Sequence, residues 1–405
     1  MLVRDAESSH LLLLGAWPAP SAESPEVTPQ LLHEDLQRWV EGGFPSISVA
    51  LANSCGVDWS EAAGDADISR HLRASTSSLY GIGSITKPFV AVVVLQLVEE
   101  GKLRLDQTPA DILDRATVRD APNATTATLA QMMSHTSGIP SWEEDPRWIH
   151  EARGDAYDPN RAWSETAALS YIRGSKPLGA PGSVYHYSNT NYTLLGLMVE
   201  KVTGNRLMAE IRRRILIPLG LKDTYLEGFE AVPEARVAGR YHFATAGYRQ
   251  AAGMSKLFPE VRPGLIDVSV SRLSPEWAAG GIVTTASDLV KFAVALRDGR
   301  LLKPESLRFM MQWRPTDVPG MEVGHGLFRN MNADGTHKIN HTGGVLGFSA
   351  EMGWLEEADM AMAFLYNAGS VDSGHVPLDW SGAKAFAQAA RATAHSSCHS
   401  ANGTR

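Results

Sequence analysis

Gly81-Ile-Gly-Ser-Ile-Thr-Lys-Pro88 stands directly before the apolar run Phe89-Val-Ala-Val-Val-Val-Leu-Gln-Leu-Val98. This run is apolar on nearly every face, which predicts a central, buried helix over 85–101. Ser84 and Lys87 lie three positions apart, a spacing that puts two side chains on the same face of a helix. The segment therefore predicts a buried helix with a serine beside a lysine at its N-terminal end.

This pair of residues has a chemical and a structural interpretation. A serine hydroxyl attacks poorly until a neighbour accepts its proton, and a lysine can act as that base when burial lowers its pKa. The free backbone N–H groups at a helix N-terminus also stabilise a developing oxyanion. The alternative is a serine that caps the helix and a lysine that faces solvent. The tetrapeptide alone favours the alternative, because Ser-x-x-Lys is a common pattern.

Length and charge narrow the classes of function. At 405 residues, 44% of them hydrophobic, the chain is long enough to bury one large core or two smaller ones. A formal net charge of -8 without a Lys/Arg block argues against nucleic acid as a partner, because phosphate binding needs a concentrated basic face. The basic run Arg212-Arg213-Arg214 is typical of the solvated side of a helix. No stretch approaches the ~18 apolar residues of a membrane span, so no transmembrane segment is predicted.

Cysteine and histidine usage favours a protein without a metal. Cys55 and Cys398 lie near opposite ends of the chain, and Cys398 belongs to a polar tail, so a structural disulfide is not predicted. The 13 histidines form no HExxH-type pair, and no CxxC pattern occurs. We therefore predict neither a metal nor a cofactor.

The order of predicted elements suggests one compact protein in two parts. Sheet and helix patterns occupy 28–105 and 265–395, and a helical region is inserted over 106–264. The residues 396–405 form a polar tail, and 1–27 form a tail or a weakly signal-like segment, which leaves secreted and cytoplasmic locations open. The predicted helices lie at 28–39, 85–101, 129–134, 163–173, 192–203, 207–217, 287–296 and 382–394, and the main predicted strands at 45–52, 57–64, 78–81, 348–354 and 360–365.

Three further segments carry side chains suited to chemistry. They are Met133-Ser-His-Thr-Ser-Gly-Ile139 at the end of a helix, Tyr187-Ser-Asn189 in a loop, and His341-Thr-Gly-Gly344 beside a predicted strand. Each is ordinary turn or strand-end composition when taken singly. Their order and spacing after Ser84 make the structural interpretation hard to maintain for all of them together.

The combined pattern resembles the serine hydrolases of the β-lactamase and penicillin-binding-protein scaffold, especially the branch with class C β-lactamases, DD-carboxypeptidases, D-aminopeptidases and carboxylesterases. Further similar segments are Leu97–Asp106, Pro181–Gly182, Ile217–Thr224 and Ala279–Asp288. The resemblance implies an α/β fold in which a mainly antiparallel sheet is flanked by N- and C-terminal helices and a helical region is inserted.

The resemblance also implies roles for four residues. Ser84 would be the acylated nucleophile, and Lys87 the base or proton relay that activates it. Tyr187 would shuttle the proton to the leaving group, as a phenolate or through a hydrogen-bond chain. Asn189 would hold Lys87 and contact the substrate amide.

The third motif departs from the β-lactamase pattern. His341 stands where those enzymes usually carry a lysine that anchors a substrate carboxylate, and Thr342 and Gly343 complete the motif. A neutral imidazole is a weaker carboxylate anchor, which makes strong β-lactamase activity doubtful. The backbone N–H groups of Ser84 and Gly344 fall where the resemblance implies an oxyanion hole.

The activity implied is acyl transfer to water through an acyl-Ser84 ester, without a cofactor. The partner would be a small-molecule substrate, either a carboxylic ester or a D-amino-acid or peptide-like amide. A transacylase with the same acyl-enzyme is an alternative, and so is a DD-carboxypeptidase or penicillin-binding sensor with slow turnover. A scaffold without chemistry is disfavoured, because all four residues are present. The oligomeric state is left open.

Aromatic residues outside the motifs have two interpretations. Trp142, Trp148, Tyr157 and Trp163, with the segment 241–263, either overhang the substrate groove or pack between helices.

Overall fold

The computed structural model describes residues 29–369 except 245, 252, 333 and 334. The strands are β1 (Ser46–Asn53), β2 (Gly56–Asp67), β3 (Leu72–Arg73), β4 (Tyr80–Gly81), β5 (Thr224–Leu226), β6 (Tyr241–Phe243), β7 (Glu260–Arg262), β8 (Leu265–Asp267), β9 (Ile282–Thr284), β10 (Arg314–Pro315), β11 (Met321–Val323), β12 (Phe328–Met331), β13 (His337–Val345), β14 (Phe348–Leu355), β15 (Ala361–Tyr366) and β16 (Ala368–Gly369).

The α-helices are α1 (Pro29–Glu41), α2 (Thr86–Glu99), α3 (Pro109–Ile112), α4 (Arg115–Val118), α5 (Leu129–Met133), α6 (Pro146–Ala152), α7 (Asn189–Thr203), α8 (Leu207–Ile211), α9 (Ile217–Leu219), α10 (Ala246–Ala251), α11 (Trp277–Gly280), α12 (Ala286–Arg297) and α13 (Pro304–Met310). Short 3₁₀ turns occupy Gly83–Ile85, Trp142–Glu144, Ala167–Tyr171 and Glu234–Arg236, and a π-helical turn occupies Arg212–Leu216. The predicted closing helix over 382–394 and both predicted tails lie outside the described residues.

The large sheet joins strands from the two ends of the described chain. Within the described residues its order is β10-β11-β12-β13-β14-β15-β1-β2-β3, and its neighbouring strands pair antiparallel. Val49 of β1 stands opposite Phe364 of β15 on one side and Glu61 of β2 on the other. The predicted α/β fold with a mainly antiparallel sheet is confirmed.

The two faces of this sheet contribute to different cores. Along β1, Ile47, Val49 and Leu51 pack in a core with α1, whereas Ala50 and Ala52 belong to the main core that contains α2 and α12. Successive side chains of a strand point to opposite faces. β1 is buried along its whole length for this reason, since both of its faces are covered.

Helix α2 is the buried helix that the sequence predicts. Its residues from Thr86 to Leu95 are all buried, and the Phe89 ring stacks on Phe292 of α12 at 3.7 Å between centroids. Pro88 lies in the first turn, where a backbone N–H has no partner within the helix. The turn just before α2 is 3₁₀-helical, so Ser84 precedes the α-helix while Lys87 lies inside it.

Three expectations about the inserted region need correction. The predicted helix over 163–173 is only the 3₁₀ turn Ala167–Tyr171, and the interval 106–264 also contains the strands β5, β6 and β7. The basic run is not wholly solvated, because Arg214 is buried and donates to Glu100 and Glu210 at 2.6 Å each. These ion pairs tie the end of α2 to α8. The boundaries proposed for the two parts stay a prediction.

The prediction of no structural disulfide is wrong for Cys55, which is disulfide-bonded. The other cysteine, Cys398, lies outside the described residues.

Among the described residues, the helices are too short or too polar to cross a bilayer.

We expect Gly196→Ala to destabilise the contact between α7 and α11. A Cβ atom at Gly196 would lie 2.7 Å from the Ala278 Cβ and 3.0 Å from the Trp277 ring. Overpacking of this kind costs about 1 to 3 kcal/mol, which urea unfolding would measure. Gly247→Ala in α10 is the control, since its Cβ would meet no atom within 4 Å. Equal unfolding midpoints for the two variants would contradict the prediction.

Candidate active site

Ser84 lies at the junction between the large sheet and the central helix. It occupies the middle of the 3₁₀ turn Gly83–Ile85, and its side chain is half-buried. Gly83 has a φ of 50°, a conformation that glycine adopts without strain, and a Cβ there would lie 2.9 Å from the Gly344 nitrogen. The turn that carries Ser84 therefore lies close to the backbone of β13.

Lys87 is completely buried and bonded to three elements. Its Nζ donates to Ser84 Oγ at 2.8 Å, to Asn189 Oδ1 at 2.7 Å and to the Ala279 carbonyl oxygen at 2.7 Å. An ammonium group has three donors, and these contacts use all of them. The amino group is therefore held in one position beside the serine hydroxyl.

Burial also changes the proton affinity of this lysine. It lowers the pKa of Lys87 from 10.5 to about 7, while the negative charges of Glu143 and Glu276 act in the opposite direction. Removal from water disfavours the charged form of an amine. A substantial share of the Lys87 side chains is therefore neutral near pH 7, and a neutral amine can accept the Ser84 proton.

The first residue of helix α11, which supplies the Ala279 carbonyl, has a strained backbone conformation. Trp277 has a φ of 39°, which is rare for a bulky residue, and its buried indole packs against Gly196 of α7. Such conformations persist only where the surrounding packing enforces them. The contact with α7 stabilises this conformation of α11, in which the Ala279 carbonyl oxygen accepts a hydrogen bond from Lys87.

Tyr187 faces Lys87 from the loop before α7. The Lys87 Nζ lies 4.9 Å from the centroid of the half-buried Tyr187 ring. Burial raises the pKa of Tyr187 well above 10, and a hydrogen bond with the Ser84 side chain opposes this shift in part. Tyr187 is therefore a phenol near neutral pH. The sequence left two options for Tyr187, a phenolate or a hydrogen-bond chain. The protonated state of Tyr187 favours proton transfer through hydrogen bonds.

His135 supports the tyrosine loop. Its ring stacks on Tyr187 at 4.2 Å between centroids, and its Nδ1 accepts a hydrogen bond from the Ser188 backbone N–H at 3.1 Å. His135 has a φ of 55°, and its carbonyl oxygen accepts from the His186 N–H at 2.8 Å. The segment 133–139, which the sequence marked without a role, thus fixes the position of Tyr187.

The His-Thr-Gly segment lies on β13 against the serine turn. A Cβ on Gly343 would lie 1.8 Å from the Ile82 carbonyl oxygen and 3.2 Å from the Ser84 nitrogen, so only glycine fits there. Within the described residues, the β12–β13 pairing ends at Phe328 opposite Asn340. The strand edge from His341 to Gly344 therefore lies next to Ser84, where the sequence predicts the oxyanion hole.

His341 itself is buried and packs in the interior. Its Nδ1 lies 2.6 Å from the Thr342 carbonyl oxygen, and its ring meets Phe328 edge-on at 5.2 Å. The Phe328 ring in turn lies 6.5 Å from the Tyr187 ring. The structure thus brings Ser84, Lys87, Tyr187 and Asn189 into direct contact, places Gly343 and Gly344 beside Ser84, and links His341 to them through Phe328.

A charged network behind Asn189 was not predicted from the sequence. The Asn189 Nδ2 donates to Glu143, Arg153 binds Glu143 at 2.6 Å, and Glu276 lies 3.6 Å from Arg153. No spacing in the sequence relates these three charged residues. The sequence offered one signal for two of these residues, which is their proximity to motif segments. Glu143 follows the His135 segment, and Glu276 precedes the Ala279 segment.

The four aromatic residues all pack against other elements, which agrees with the second of the two interpretations. Trp142, Trp148 and Trp163 are buried in the main core, so they pack between elements and do not overhang a groove. Tyr157 is half-buried and packs beside Phe258 in a smaller core near the β13–β14 turn.

One cluster among the described residues could present three metal-ligating atoms. It consists of His337, Glu356 and Glu357, whose ligand atoms lie within 4.8 Å of one another. The cluster is partly exposed and lies at the end of β13 opposite to Gly344, and Arg329 binds Glu356 at 2.9 Å. It is therefore separate from the Ser84 cluster.

The antiparallel sheet, the buried Ser-x-x-Lys helix and the Tyr-Ser-Asn loop together define the β-lactamase and penicillin-binding-protein class of serine hydrolases. The sequence profile described as Beta-lactamase matches residues 30–384, which is most of the chain. The chain belongs to this family.

Individual relatives agree with this assignment. Penicillin-binding protein 4 of Amycolatopsis lactamdurans is 29% identical over 251 residues, which are 60% of this chain, and the chain spans 58% of that relative's length. The D-amino acid amidase from Ochrobactrum anthropi SV3, complexed with L-phenylalanine, superposes with a TM-score of 0.78 at 26% identity, over 90% of this chain and 99% of its own. A D-stereospecific amidohydrolase from Streptomyces sp. gives a TM-score of 0.72 at 27% identity, over 86% and 96% of the two chains.

We expect a fluorophosphonate probe to label Ser84 at a rate that rises as pH increases through about 7, because Lys87 loses its proton there. Stopped-time intact-mass spectrometry would measure the rate at each pH. Ser84→Ala should not be labelled, whereas Ser170→Ala, which removes an exposed hydroxyl from the turn Ala167–Tyr171, should behave like wild type. A labelling rate that does not change across this pH would argue against Lys87 as the neighbouring base.

Proposed function

We propose that this protein is a hydrolase that forms an acyl-enzyme on Ser84 and transfers the acyl group to water. The observation that carries the proposal is the 2.8 Å hydrogen bond from Lys87 Nζ to Ser84 Oγ. The lysine is fully buried, and its pKa is lowered to about 7. A base with a pKa near the working pH is effective in general base catalysis.

Acylation uses the groups in contact with Ser84. Neutral Lys87 takes the hydroxyl proton as Ser84 Oγ attacks the substrate carbonyl carbon, and the backbone N–H groups of Ser84 and Gly344 stabilise the oxyanion. The phenol of Tyr187 then gives its proton to the leaving alcohol or amine as the carbonyl–heteroatom bond breaks. Lys87 returns its proton to Tyr187. In deacylation, water takes the place of the leaving group. Tyr187 passes its proton to Lys87 and accepts one from the attacking water, and Lys87 then gives its proton to Ser84 Oγ as the bond between the acyl carbon and Oγ breaks.

The substrate class that we propose is a carboxylic ester or a D-amino-acid or peptide-like amide. The D-amino acid amidase and the D-stereospecific amidohydrolase support the amide option, because they resemble this chain over most of its length. Buried His341 replaces the lysine that anchors a carboxylate in β-lactamases. Penicillins, which carry a carboxylate, should therefore be hydrolysed weakly or not at all.

A penicillin-binding protein with slow turnover is the second candidate. The similarity to penicillin-binding protein 4 of A. lactamdurans favours it. In such a protein Ser84 would be acylated by a penicillin and deacylation would stall. A persistent adduct without product would distinguish this candidate from the hydrolase.

We expect wild-type protein to hydrolyse p-nitrophenyl butyrate or a D-alanyl p-nitroanilide and Ser84→Ala to hydrolyse neither. Released chromophore measures turnover, and intact mass detects the acyl-enzyme in the same samples. The L-alanyl anilide is the matched control for stereochemistry, and benzylpenicillin tests the second candidate. Near-normal hydrolysis by Ser84→Ala would exclude Ser84 as the nucleophile.

We expect Tyr187→Phe to lower kcat by about 100-fold to about 10,000-fold, because positioned acid–base groups contribute factors of this size. The ring and its stacking on His135 are kept in this variant. The loss in kcat/KM, which reports acylation, should be larger for an anilide than for a p-nitrophenyl ester, whose leaving group needs no proton. Equal losses for the two substrates would show that Tyr187 does not protonate the leaving group.

A further inference from the structure

Three charged side chains, two of them buried and one half-buried, form a network beside the proposed catalytic lysine. Glu143 comes from the 3₁₀ turn Trp142–Glu144, Arg153 from the end of α6, and Glu276 from the residue before α11. The exposed fractions of the side chains are 24% for Glu143, 9% for Arg153 and 10% for Glu276. Arg153 binds Glu143 at 2.6 Å and lies 3.6 Å from Glu276, so one guanidinium serves two carboxylates.

This network reaches Lys87 through Asn189. The Asn189 Nδ2 donates to Glu143, while its Oδ1 accepts from Lys87 Nζ at 2.7 Å. If the Asn189 side-chain amide were flipped by 180°, its NH₂ group would point at Lys87 and its oxygen at Glu143. The Glu143 carboxylate disfavours this orientation, because it can only accept hydrogen bonds. Glu143 therefore fixes the oxygen of Asn189 towards Lys87.

The network also acts on Lys87 through its charge. The groups that face the lysine are Ser84, the rings of Tyr187 and Tyr192, and the carboxylates of Glu143 and Glu276. Both carboxylates favour the charged lysine. Burial and the nearby charge of Glu143 raise the pKa of Glu276, while Arg153 and Lys87 lower it. The positive charge of Arg153 thus offsets negative charge on the two carboxylates that it contacts.

We propose that Arg153 is a positioning residue for the acyl-transfer reaction: it holds Glu143 and Glu276 and balances their negative charge beside Lys87. The inference rests on the proposed function, in which Lys87 is the base. It predicts effects of opposite sign for two substitutions in one network. Loss of Arg153 leaves Glu143 without its counter-charge, which favours protonated Lys87. Loss of the Glu276 charge favours neutral Lys87.

The test is the pH dependence of kcat/KM for p-nitrophenyl butyrate in Arg153→Met and Glu276→Gln. The midpoint of the acidic limb should move to higher pH in Arg153→Met and to lower pH in Glu276→Gln, each by about one pH unit. Arg153→Lys keeps the positive charge, so its midpoint should lie much closer to the wild-type value than the midpoint of Arg153→Met does. Arg161→Met is the matched control, because it removes another arginine that pairs with a carboxylate, Glu151, in the same region.

The outcomes separate this inference from the proposed function. Midpoints that shift in the same direction, or that stay at the wild-type value while kcat falls, would show that Arg153 supports the fold alone and would overturn the inference. If wild type has no acidic limb near pH 7, or if Ser84→Ala remains active, the proposed function itself fails. Near-UV circular dichroism checks the fold of each variant. Glu276→Gln is nearly isosteric and tests the sign even if Arg153→Met does not fold.

Discussion

A lysine amino group enclosed in the protein interior is the constraint on which the architecture around the site depends. Taking an ammonium group out of water is costly unless its donors are satisfied. For Lys87 the acceptors come from the turn before α2, from the first residue of α7 and from α11. These three elements belong to distant parts of the sequence. Their packing against one another is therefore also the condition under which the amine can stay buried.

The contact between helix and sheet is a second constraint of the same kind. Gly343 lies so close to Ile82 that no side chain fits between them. This close approach sets the backbone of Gly343 against the Ser84 nitrogen, whereas Lys87 Nζ contacts the Ser84 hydroxyl and faces the Tyr187 ring. The serine thus lies between the backbone of a strand and a buried amine, and the proposed acyl transfer needs groups of both kinds beside it.

The parts of this structure that follow from local pattern could be predicted from the sequence. The apolar run after Ser84 predicted α2, alternation predicted β1, and the three-residue spacing predicted that Lys87 lies beside Ser84. The contact of Lys87 with Asn189 was implied by the family resemblance. The charged network could not be predicted, because Glu143, Arg153 and Glu276 meet only through tertiary packing and no period relates them. The segment 163–173 has the composition of a helix, yet Trp163 and Tyr171 bury their rings in the core with only a short 3₁₀ turn between them. There tertiary packing outweighed local propensity.

The position of β1 between β15 and β2 has a consequence for how the protein is made. Ser46 at the start of β1 donates its backbone N–H to the side chain of Asn367 just after β15, and these two residues are 321 positions apart. A ribosome therefore delivers β1, β2 and the serine helix long before the strand that completes their sheet. Until then β1 has an unpaired edge, and such edges invite association with other chains. Pairing at this sequence separation also makes folding slow. The nascent protein must keep its first strands from pairing elsewhere while nearly all of the remaining sequence is translated.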